Sequence, residues 1–250
     1  MPTWGCSSVG RALAWHARGR RFESDQLHHQ FSLIKTADWR FLFAIYFFVT
    51  IIRPMLYIIR HGQTDWNLGG KIQGQSDIPL NDTGRVQASD VADKLARFNL
   101  EYIVSSDLSR ACETAQIIGN KLNIRVEYDA RLREYDFGCL NGITRRRLDP
   151  NSEIAFFKNP ERFGAEAFED TFARVGEFFK SVDYSKNILV VTHGGFINFA
   201  LCYLEGKNKY YLLDKFLHTK INNSDVLRLK DLESDVSILK NTRFYKLKSK

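Results

Sequence analysis

Two histidines in this sequence each come directly after an apolar run and directly before a glycine. His61 directly follows residues 55–60, and His193 directly follows residues 188–192. An imidazole at the end of a buried strand is held by the sheet and faces the crevice beyond it, while the glycine lets the backbone turn and aim N–H groups at a ligand. A neutral imidazole can attack phosphorus and form a covalent intermediate. The pattern therefore predicts nucleophilic chemistry on an anionic group.

Cationic and acidic side chains accompany the two histidines. Arg60 precedes the first histidine, and Arg110 lies just beyond a second apolar run, near the start of an amphipathic segment. Guanidinium groups suit bidentate contact with phosphate. A leaving oxygen also needs a general acid, for which Glu134 is the candidate and Asp136 its local rival. Together these residues predict an anion pocket with a nucleophile and an acid.

The elements that must position these residues alternate along the chain. Predicted strands are 55–60, 102–105, 124–128, 188–192, 226–229 and 236–239, and predicted helices contain the periodic apolar residues of 88–98, 111–122, 168–182 and 197–204. Alternating strands and helices favour a three-layer α/β fold with a mostly parallel central sheet and helices on both faces. Ligands of such folds bind beyond the carboxyl ends of strands, where both histidines are predicted. Residues 129 to about 164 are expected to be irregular.

The candidate residues lie in longer motifs that occur in a fixed order across residues 55–200. These motifs are Arg60-His61-Gly62-Gln63-Thr64-Asp65-Trp66-Asn67, Ser105-Ser106-Asp107-Leu108-Ser109-Arg110-Ala111, Leu132-Arg133-Glu134 and Thr192-His193-Gly194-Gly195. The set, in this order and spacing, resembles the histidine phosphatase superfamily, in its phosphoglycerate mutase-like branch. A lone Arg-His-Gly would be weak, whereas the whole series is specific. The resemblance implies the phosphoglycerate mutase-like fold.

Residue roles follow from this resemblance, position by position. It implies that His61 is the nucleophile that becomes phosphohistidine, and that Glu134 protonates the leaving group and later deprotonates water. His193 is implied as the third catalytic residue. The implied phosphate-binding residues are Arg60, Asn67, Arg110 and Gly194. The resemblance implies neither a metal nor another cofactor.

The function expected on this basis is hydrolysis of a small phosphorylated metabolite through a phosphohistidine. A 2,3-bisphosphoglycerate-dependent phosphoglycerate mutase and an α-ribazole-phosphate phosphatase remain alternatives. So does a non-catalytic protein that only binds a phosphorylated ligand. Mutases of this type carry a longer lid and tail, and about 196 residues from Met55 onward leave little room for them, which favours hydrolysis.

Three consecutive arginines, at 145–147, allow two interpretations. They could bind a second anionic group of the substrate, or they could form a solvated face. Two departures from the family pattern, Leu140-Asn141-Gly142 and Ala165-Glu166-Ala167, concern the choice of substrate rather than the chemistry.

Residues 1–54 differ from the remainder of the chain and are expected to form no domain. Their apolar run, 41–52, is shorter than the roughly 20 residues that span a bilayer. The domain is expected to cover 55–250. The alternative is a genuine basic tail with an anchor segment.

A different origin explains this N-terminal segment better. Residues 7–12 and 21–24 are what the D arm and the T arm of a tRNA gene would encode, at the matching separation. We therefore expect that residues 1 to about 28 are a translated tRNA gene, that 29–54 are intergenic, and that the natural start is Met55.

Composition narrows the partners and the compartment. The net charge is +7, but residues 1–54 hold 7 Lys/Arg and only 3 Asp/Glu, so residues 55–250 carry only +3. Such a balance fits a small anionic metabolite, and neither a nucleic-acid partner nor a membrane is expected. The four cysteines form no Cys-x-x-Cys pair, which fits a reducing compartment, here the cytoplasm. A monomer or a homodimer is expected.

Overall fold

The computed structural model describes residues 55–206, 221–229 and 244–246. The strands are β1 (Leu56–Arg60), β2 (Tyr102–Ser105), β3 (Val126–Tyr128), β4 (Ile188–Thr192), β5 (Val226–Leu229) and β6 (Phe244–Lys246). The helices of the described residues are α1 (Asp65–Leu68), α2 (Asp82–Leu95), α3 (Ser109–Leu122), α4 (Pro150–Lys158), α5 (Phe168–Ser181) and α6 (Gly194–Leu204). No helix within these described ranges is long and apolar enough to cross a bilayer.

The strands form one mixed sheet in the order β3-β2-β4-β1-β5-β6. The first four of these are parallel, and β5 and β6 extend the sheet in antiparallel fashion. The predicted mostly parallel α/β sheet is therefore confirmed. The expectations for residues 1–54 and for a strand at 236–239 lie outside the described residues.

Helices cover both faces of the sheet, as the alternation of strand side chains requires. Leu56 and Ile58 of β1 pack into a core cluster with α5 and α6. Tyr57 and Ile59 point the other way, into a cluster with α2 and α3. β1 and β4 are buried on both sides, which explains their continuous apolar sequences.

The stretch after β3 is more regular than the sequence suggested, so the prediction of an irregular segment is wrong in part. It contains α4 and four 3₁₀ helices: Ala130–Leu132, Gly138–Leu140, Arg145–Arg147 and Pro160–Phe163. A start signal for α4 is present, because the Asp149 side chain accepts a hydrogen bond from Ser152 N and Pro150 occupies the first turn. Four residues of this stretch line the crevice at the carboxyl ends of β1 and β4: Glu134, Phe137, Arg145 and Arg146.

Candidate active site

The two histidines leave the sheet side by side because their strands are neighbours. β1 pairs with β4 in parallel, with Arg60 opposite Thr192, so His61 and His193 each follow a strand at the same edge. His61 N donates to Thr192 O at 2.9 Å, and the two imidazole centroids lie 5.1 Å apart. Both side chains are buried, with 1% and 0% exposed. The predicted convergence at strand ends is therefore present.

The environment of His61 fixes its tautomer. Nδ1 lies 2.7 Å from Gly62 O, and because a carbonyl can only accept, Nδ1 carries the proton. Nε2 has no hydrogen-bond partner among the described residues and keeps its lone pair. Burial, reinforced by the positive charges of Arg110 and Arg60, holds the pKa of His61 well below 6.5. The imidazole is thus neutral at pH 7, and its Nε2 carries an unprotonated lone pair.

The turn that presents His61 admits only glycine at the next position. A Cβ at Gly62 would lie 2.5 Å from Gly84 O, a backbone atom of α2 that cannot move aside. Gly62 N donates to Thr114 Oγ1 of α3 at 3.0 Å. The loop after β1 is therefore clamped against two helices.

His193 belongs to a buried network with Arg110 and Ser106. Arg110 Nε donates to His193 Nδ1 at 3.2 Å, so His193 Nε2 carries the proton and faces Ser106 Oγ at 2.9 Å. Burial is the main cause that holds the pKa of His193 well below 6.5, and Arg110 adds to it. His193 is thus a neutral imidazole whose orientation is set from both ring nitrogens.

Arg110, at the start of α3, is a fully buried cation held by backbone carbonyls. Its Nη1 and Nη2 donate to Ser76 O and Gly74 O, each at 2.7 Å. With Nε on His193, three of the five guanidinium N–H groups are used, and two remain for a ligand. Burial lowers the pKa of Arg110 to about 10, which leaves it charged at pH 7, with Glu134 opposing that shift.

Arg60 aims its guanidinium at the N-terminus of α6. Nη1 donates to Ile221 O at 2.6 Å, whereas Nε is buried without a partner among the described residues. Nε lies 3.6 Å from where a Cβ would stand on Gly194. Burial lowers the pKa of Arg60, and the nearby Glu134 carboxylate opposes this. An unpaired buried N–H beside a helix N-terminus suits an anion.

Glu134 lies at the same helix N-terminus. Its Oε2 accepts from Gly195 N at 3.0 Å, and its Oε1 accepts from Phe196 N and Tyr135 N, each at 2.9 Å. A Cβ at Gly195 would stand 2.3 Å from Oε1, so glycine is what allows the carboxylate to approach. Its rival Asp136 instead accepts from Gly138 N and Asn141 Nδ2. Glu134 also lines the cleft beside Arg60 and Gly194, and Asp136 does not.

The amide oxygen of Asn67 is held by hydrogen bonds to Thr64 and Asn223. Asn67 stands at the third position of α1, where it forms a capping box with Thr64. Asn67 Oδ1 receives Thr64 N at 3.2 Å and Asn223 Nδ2 at 3.0 Å. The Nδ2 group is left for a ligand.

Several of these residues line a cleft of about 510 Å³. Its lining includes Arg60, Asn67, Glu134, Gly194 and Gly195, together with Lys71, Arg145 and Arg146. Among the described residues that line it, Glu134 is the only acid. The buried residues His61, Arg110 and His193 are not part of this lining. The cleft is therefore strongly cationic.

Two members of the arginine triplet lie at the cleft, and the third lies away from it. Arg145 and Arg146 are exposed and line the cleft, whereas Arg147 is exposed and does not line it. Lys71 lies beside them, with Nζ 5.4 Å from the Trp66 ring centroid. Two of the three arginines therefore face the crevice.

Sequence reasoning missed three residues that support the site. Ser106 orients His193, and Asn223 contacts the loop after β1. Arg174 of α5 donates to the carbonyl oxygens of Arg133 and Glu134, at 2.8 and 3.3 Å, and pairs with Glu166. Ser106 lies in a motif that the sequence analysis did single out, but the other two carry no local signal.

The described residues contain no group of three or more His, Cys, Asp or Glu side chains arranged to hold a metal ion. The cations that face the cleft belong to arginine and lysine side chains.

Comparison with known proteins identifies similar chains. The family model described as "Histidine phosphatase superfamily (branch 1)" matches residues 56–234. Phosphoglycerate mutase-like protein 4 of Arabidopsis thaliana is 34% identical over 212 residues, which cover 76% of this chain and 88% of the plant protein. Glucosyl-3-phosphoglycerate phosphatase of Mycobacterium tuberculosis is 35% identical over 158 residues, which cover 57% of this chain and 71% of that protein.

This chain is also similar to a solved structure of the mycobacterial enzyme. The structure of mycobacterial glucosyl-3-phosphoglycerate phosphatase in complex with VO3 superposes with a TM-score of 0.63 at 29% identity. The superposition covers 77% of this chain and 97% of the mycobacterial one. The likeness thus extends over most of the fold as well as the motifs.

Proposed function

The chain belongs to branch 1 of the histidine phosphatase superfamily, and we propose that it hydrolyses small phosphate monoesters through a phosphohistidine on His61. One observation carries this proposal: His61 Nδ1 donates to Gly62 O, which leaves Nε2 with a lone pair beside two arginines. The relatives that act on small phosphorylated metabolites support it.

The first half-reaction transfers the phosphoryl group to the enzyme. The Nε2 lone pair of His61 forms a bond to phosphorus while the bond to the ester oxygen breaks. The electron pair of that bond stays on the leaving oxygen, which takes a proton from the Glu134 carboxyl group. The product alcohol then leaves, and Glu134 remains as the carboxylate.

The second half-reaction returns the enzyme to its starting state. Glu134 takes a proton from water as the water oxygen attacks phosphorus. The N–P bond breaks, its electron pair returns to Nε2, and phosphate is released. One carboxyl group thus acts as acid and then as base.

Fixed hydrogen-bond donors stabilise the negative charge that spreads over the equatorial oxygens of the transferring phosphoryl group. Arg60 Nε and the two unused N–H groups of Arg110 supply guanidinium donors, and Asn67 Nδ2 supplies an amide. His193, protonated on Nε2, lies beside them. Preorganised donors of this kind dominate phosphoryl transfer.

We further propose that the substrate carries a second anionic group, such as a carboxylate. Arg145, Arg146 and Lys71 line the same cleft as Arg60, and Arg145 is close enough to lower the pKa of Arg60 further. The mycobacterial relative is named for a phosphoglycerate derivative, which has both groups. Glucosyl-3-phosphoglycerate and 3-phosphoglycerate are therefore the first substrates to test.

The reaction needs no metal ion in this proposal because arginine side chains supply the positive charge. The free thiols of Cys112 and Cys139 support a reducing compartment such as the cytoplasm. We propose a monomer or a homodimer, which sedimentation distinguishes.

Labelling with a ³²P-phosphomonoester tests the function. The label is expected on His61, stable to base and labile to acid, and absent in His61→Asn, whose amide can still donate to Gly62 O. Label on another side chain, or turnover by His61→Asn, contradicts the proposal. With 3-phosphoglycerate, release of free phosphate supports hydrolysis, and phosphate transfer dependent on 2,3-bisphosphoglycerate identifies a mutase instead.

The basic rim is tested by comparing neighbouring arginines. Arg145→Gln and Arg146→Gln should each lower kcat/KM for a carboxylate-bearing substrate by about fivefold, corresponding to about 1 kcal/mol for an exposed ion pair. Turnover of p-nitrophenyl phosphate should not change. Arg147→Gln is the matched control, and an equal effect there would remove the assignment.

A further inference from the structure

The segment just before β5 is attached to the loop that carries His61. Arg60 Nη1 donates to Ile221 O at 2.6 Å, and Ser224 N donates to Arg60 O at 3.0 Å. Asn222 and Ser224 lie in a turn, in which Asn222 N donates to Asp225 Oδ2 at 2.8 Å. The residue between them points its side chain at the site.

Asn223 places one amide nitrogen against three acceptors. Its Nδ2 lies 3.0 Å from His61 O, 3.1 Å from Gly62 O and 3.0 Å from Asn67 Oδ1. Each acceptor belongs to a residue at, or in contact with, the phosphoryl site. Because an NH₂ group has two protons, Asn223 can donate to two of these three acceptors at a time, and it thereby links the His61–Gly62 backbone with the Asn67 amide.

The contact with Gly62 O concerns the nucleophile directly. That carbonyl also accepts the Nδ1 proton of His61, at 2.7 Å. The direction of the Gly62 carbonyl therefore sets the direction of the imidazole, and Asn223 holds this carbonyl from a second side.

The contact with Asn67 fixes which end of its amide faces the ligand. Asn223 Nδ2, at 3.0 Å, is the shortest donor to Asn67 Oδ1. Thr64 N donates to the same oxygen at 3.2 Å, and the single proton of Thr64 Oγ1 has two acceptors, Gln73 Oε1 at 3.0 Å and Asn67 Oδ1 at 3.2 Å. If the Asn67 amide were turned over, its NH₂ group would face these donors, and no hydrogen bond could form between them. The Asn67 NH₂ group is thereby kept toward the cleft.

We propose that Asn223 is a positioning residue for phosphoryl transfer, which acts through the Asn67 amide and the Gly62 carbonyl rather than by touching substrate. This inference rests on the proposed function. It assigns a role to a residue outside the motifs that carry the family resemblance.

The test is a double-mutant cycle on phosphoenzyme formation, measured by rapid quench with a ³²P-phosphomonoester. Asn223→Ala and Asn67→Ala should each slow formation by about tenfold or more. The double variant should be little slower than Asn223→Ala alone, because the two residues act in series. Effects that multiply fully, or no loss in Asn223→Ala, would overturn the inference.

Two further variants keep the test decisive if Asn223→Ala folds poorly. Asn67→Asp retains an acceptor for Thr64 and Asn223 but loses the NH₂ group, so it should slow formation as much as Asn67→Ala; full activity would overturn the inference. Asn222→Ala is the matched control, because Asn222 is exposed and its hydrogen bonds to Asp225 use the backbone N–H and C=O, which alanine keeps. If Asn222→Ala slowed the reaction as much as Asn223→Ala, any change in this turn would be enough to slow it, and the inference would be overturned.

The same experiment separates this inference from the proposed function. Label on a residue other than His61 contradicts the function itself. Label on His61 with independent effects of Asn67 and Asn223 contradicts only the positioning role.

Discussion

The folded protein should lose stability as the pH falls below 6.5, because its two buried histidines resist protonation. His61 and His193 are 1% and 0% exposed, and burial together with Arg110 holds the pKa of each well below 6.5. In the unfolded chain both groups return to a pKa near 6.5. Below that pH the unfolded state therefore binds more protons than the folded state, and the free energy of unfolding falls.

The size of the effect follows from proton linkage. Each histidine that is neutral when folded lowers the free energy of unfolding by about 1.4 kcal/mol per pH unit below 6.5. For the pair, moving from pH 7.5 to pH 5.5 should remove roughly 3 kcal/mol, a large part of the 5–15 kcal/mol typical of a domain. The stability contribution is complete above pH 6.5 and is lost progressively below it.

Urea unfolding at pH 7.5, 6.5, 6.0 and 5.5, followed by circular dichroism, measures this slope. His61→Asn removes one of the two groups while keeping a donor for Gly62 O, so its slope should be about half that of the natural sequence. Equal slopes in the two proteins, or a free energy of unfolding that stays constant down to pH 5.5, would refute the argument.

Three more outcomes are expected. Glu134→Gln should slow turnover most for substrates with poor leaving groups and least for p-nitrophenyl phosphate. A series of phenyl phosphates checks this through the slope of log kcat/KM against the pKa of the leaving group. An equal loss for all substrates would mean that another residue is the acid. Gly195→Ala should lower kcat by about tenfold or more, because its Cβ would stand 2.3 Å from Glu134 Oε1 and displace the carboxylate. The higher helix propensity of alanine should offset part of the stability lost with the hydrogen bonds to Gly195 N and Phe196 N. Normal activity in that variant would mean that the carboxylate position is unimportant. Dialysis against EDTA should leave the rate unchanged, since arginines supply the charge, and activity restored only by an added metal would contradict this.

The sequence was sufficient to predict the strands that carry the site, because these are local features. Two apolar runs end in a histidine and a glycine, and the pairing of β1 with β4 then brings the two imidazoles together. The identity of Glu134 as the acid in the cleft could be proposed from its motif, but only the structure shows its contact with the N-terminus of α6.

Other features depend on contacts between distant parts of the chain, which no local pattern encodes. Arg174 reaches the carbonyl oxygens of the Glu134 loop from α5, and Asn223 reaches the His61 loop from the residues before β5. The 3₁₀ helices between Ala130 and Phe163 are too short to show a period in the sequence.

The position of β1 at the centre of the sheet has a consequence for synthesis on the ribosome. β1 is the first described strand, yet its partners come late: Leu56 pairs with Ile188 on one side and with Leu229 on the other. Such pairing between distant segments is slow to form. A nascent chain therefore carries an apolar strand without partners for most of its translation. Any ribosome stall before β4 emerges would leave this strand available to chaperones, or to the same strand of a neighbouring polypeptide.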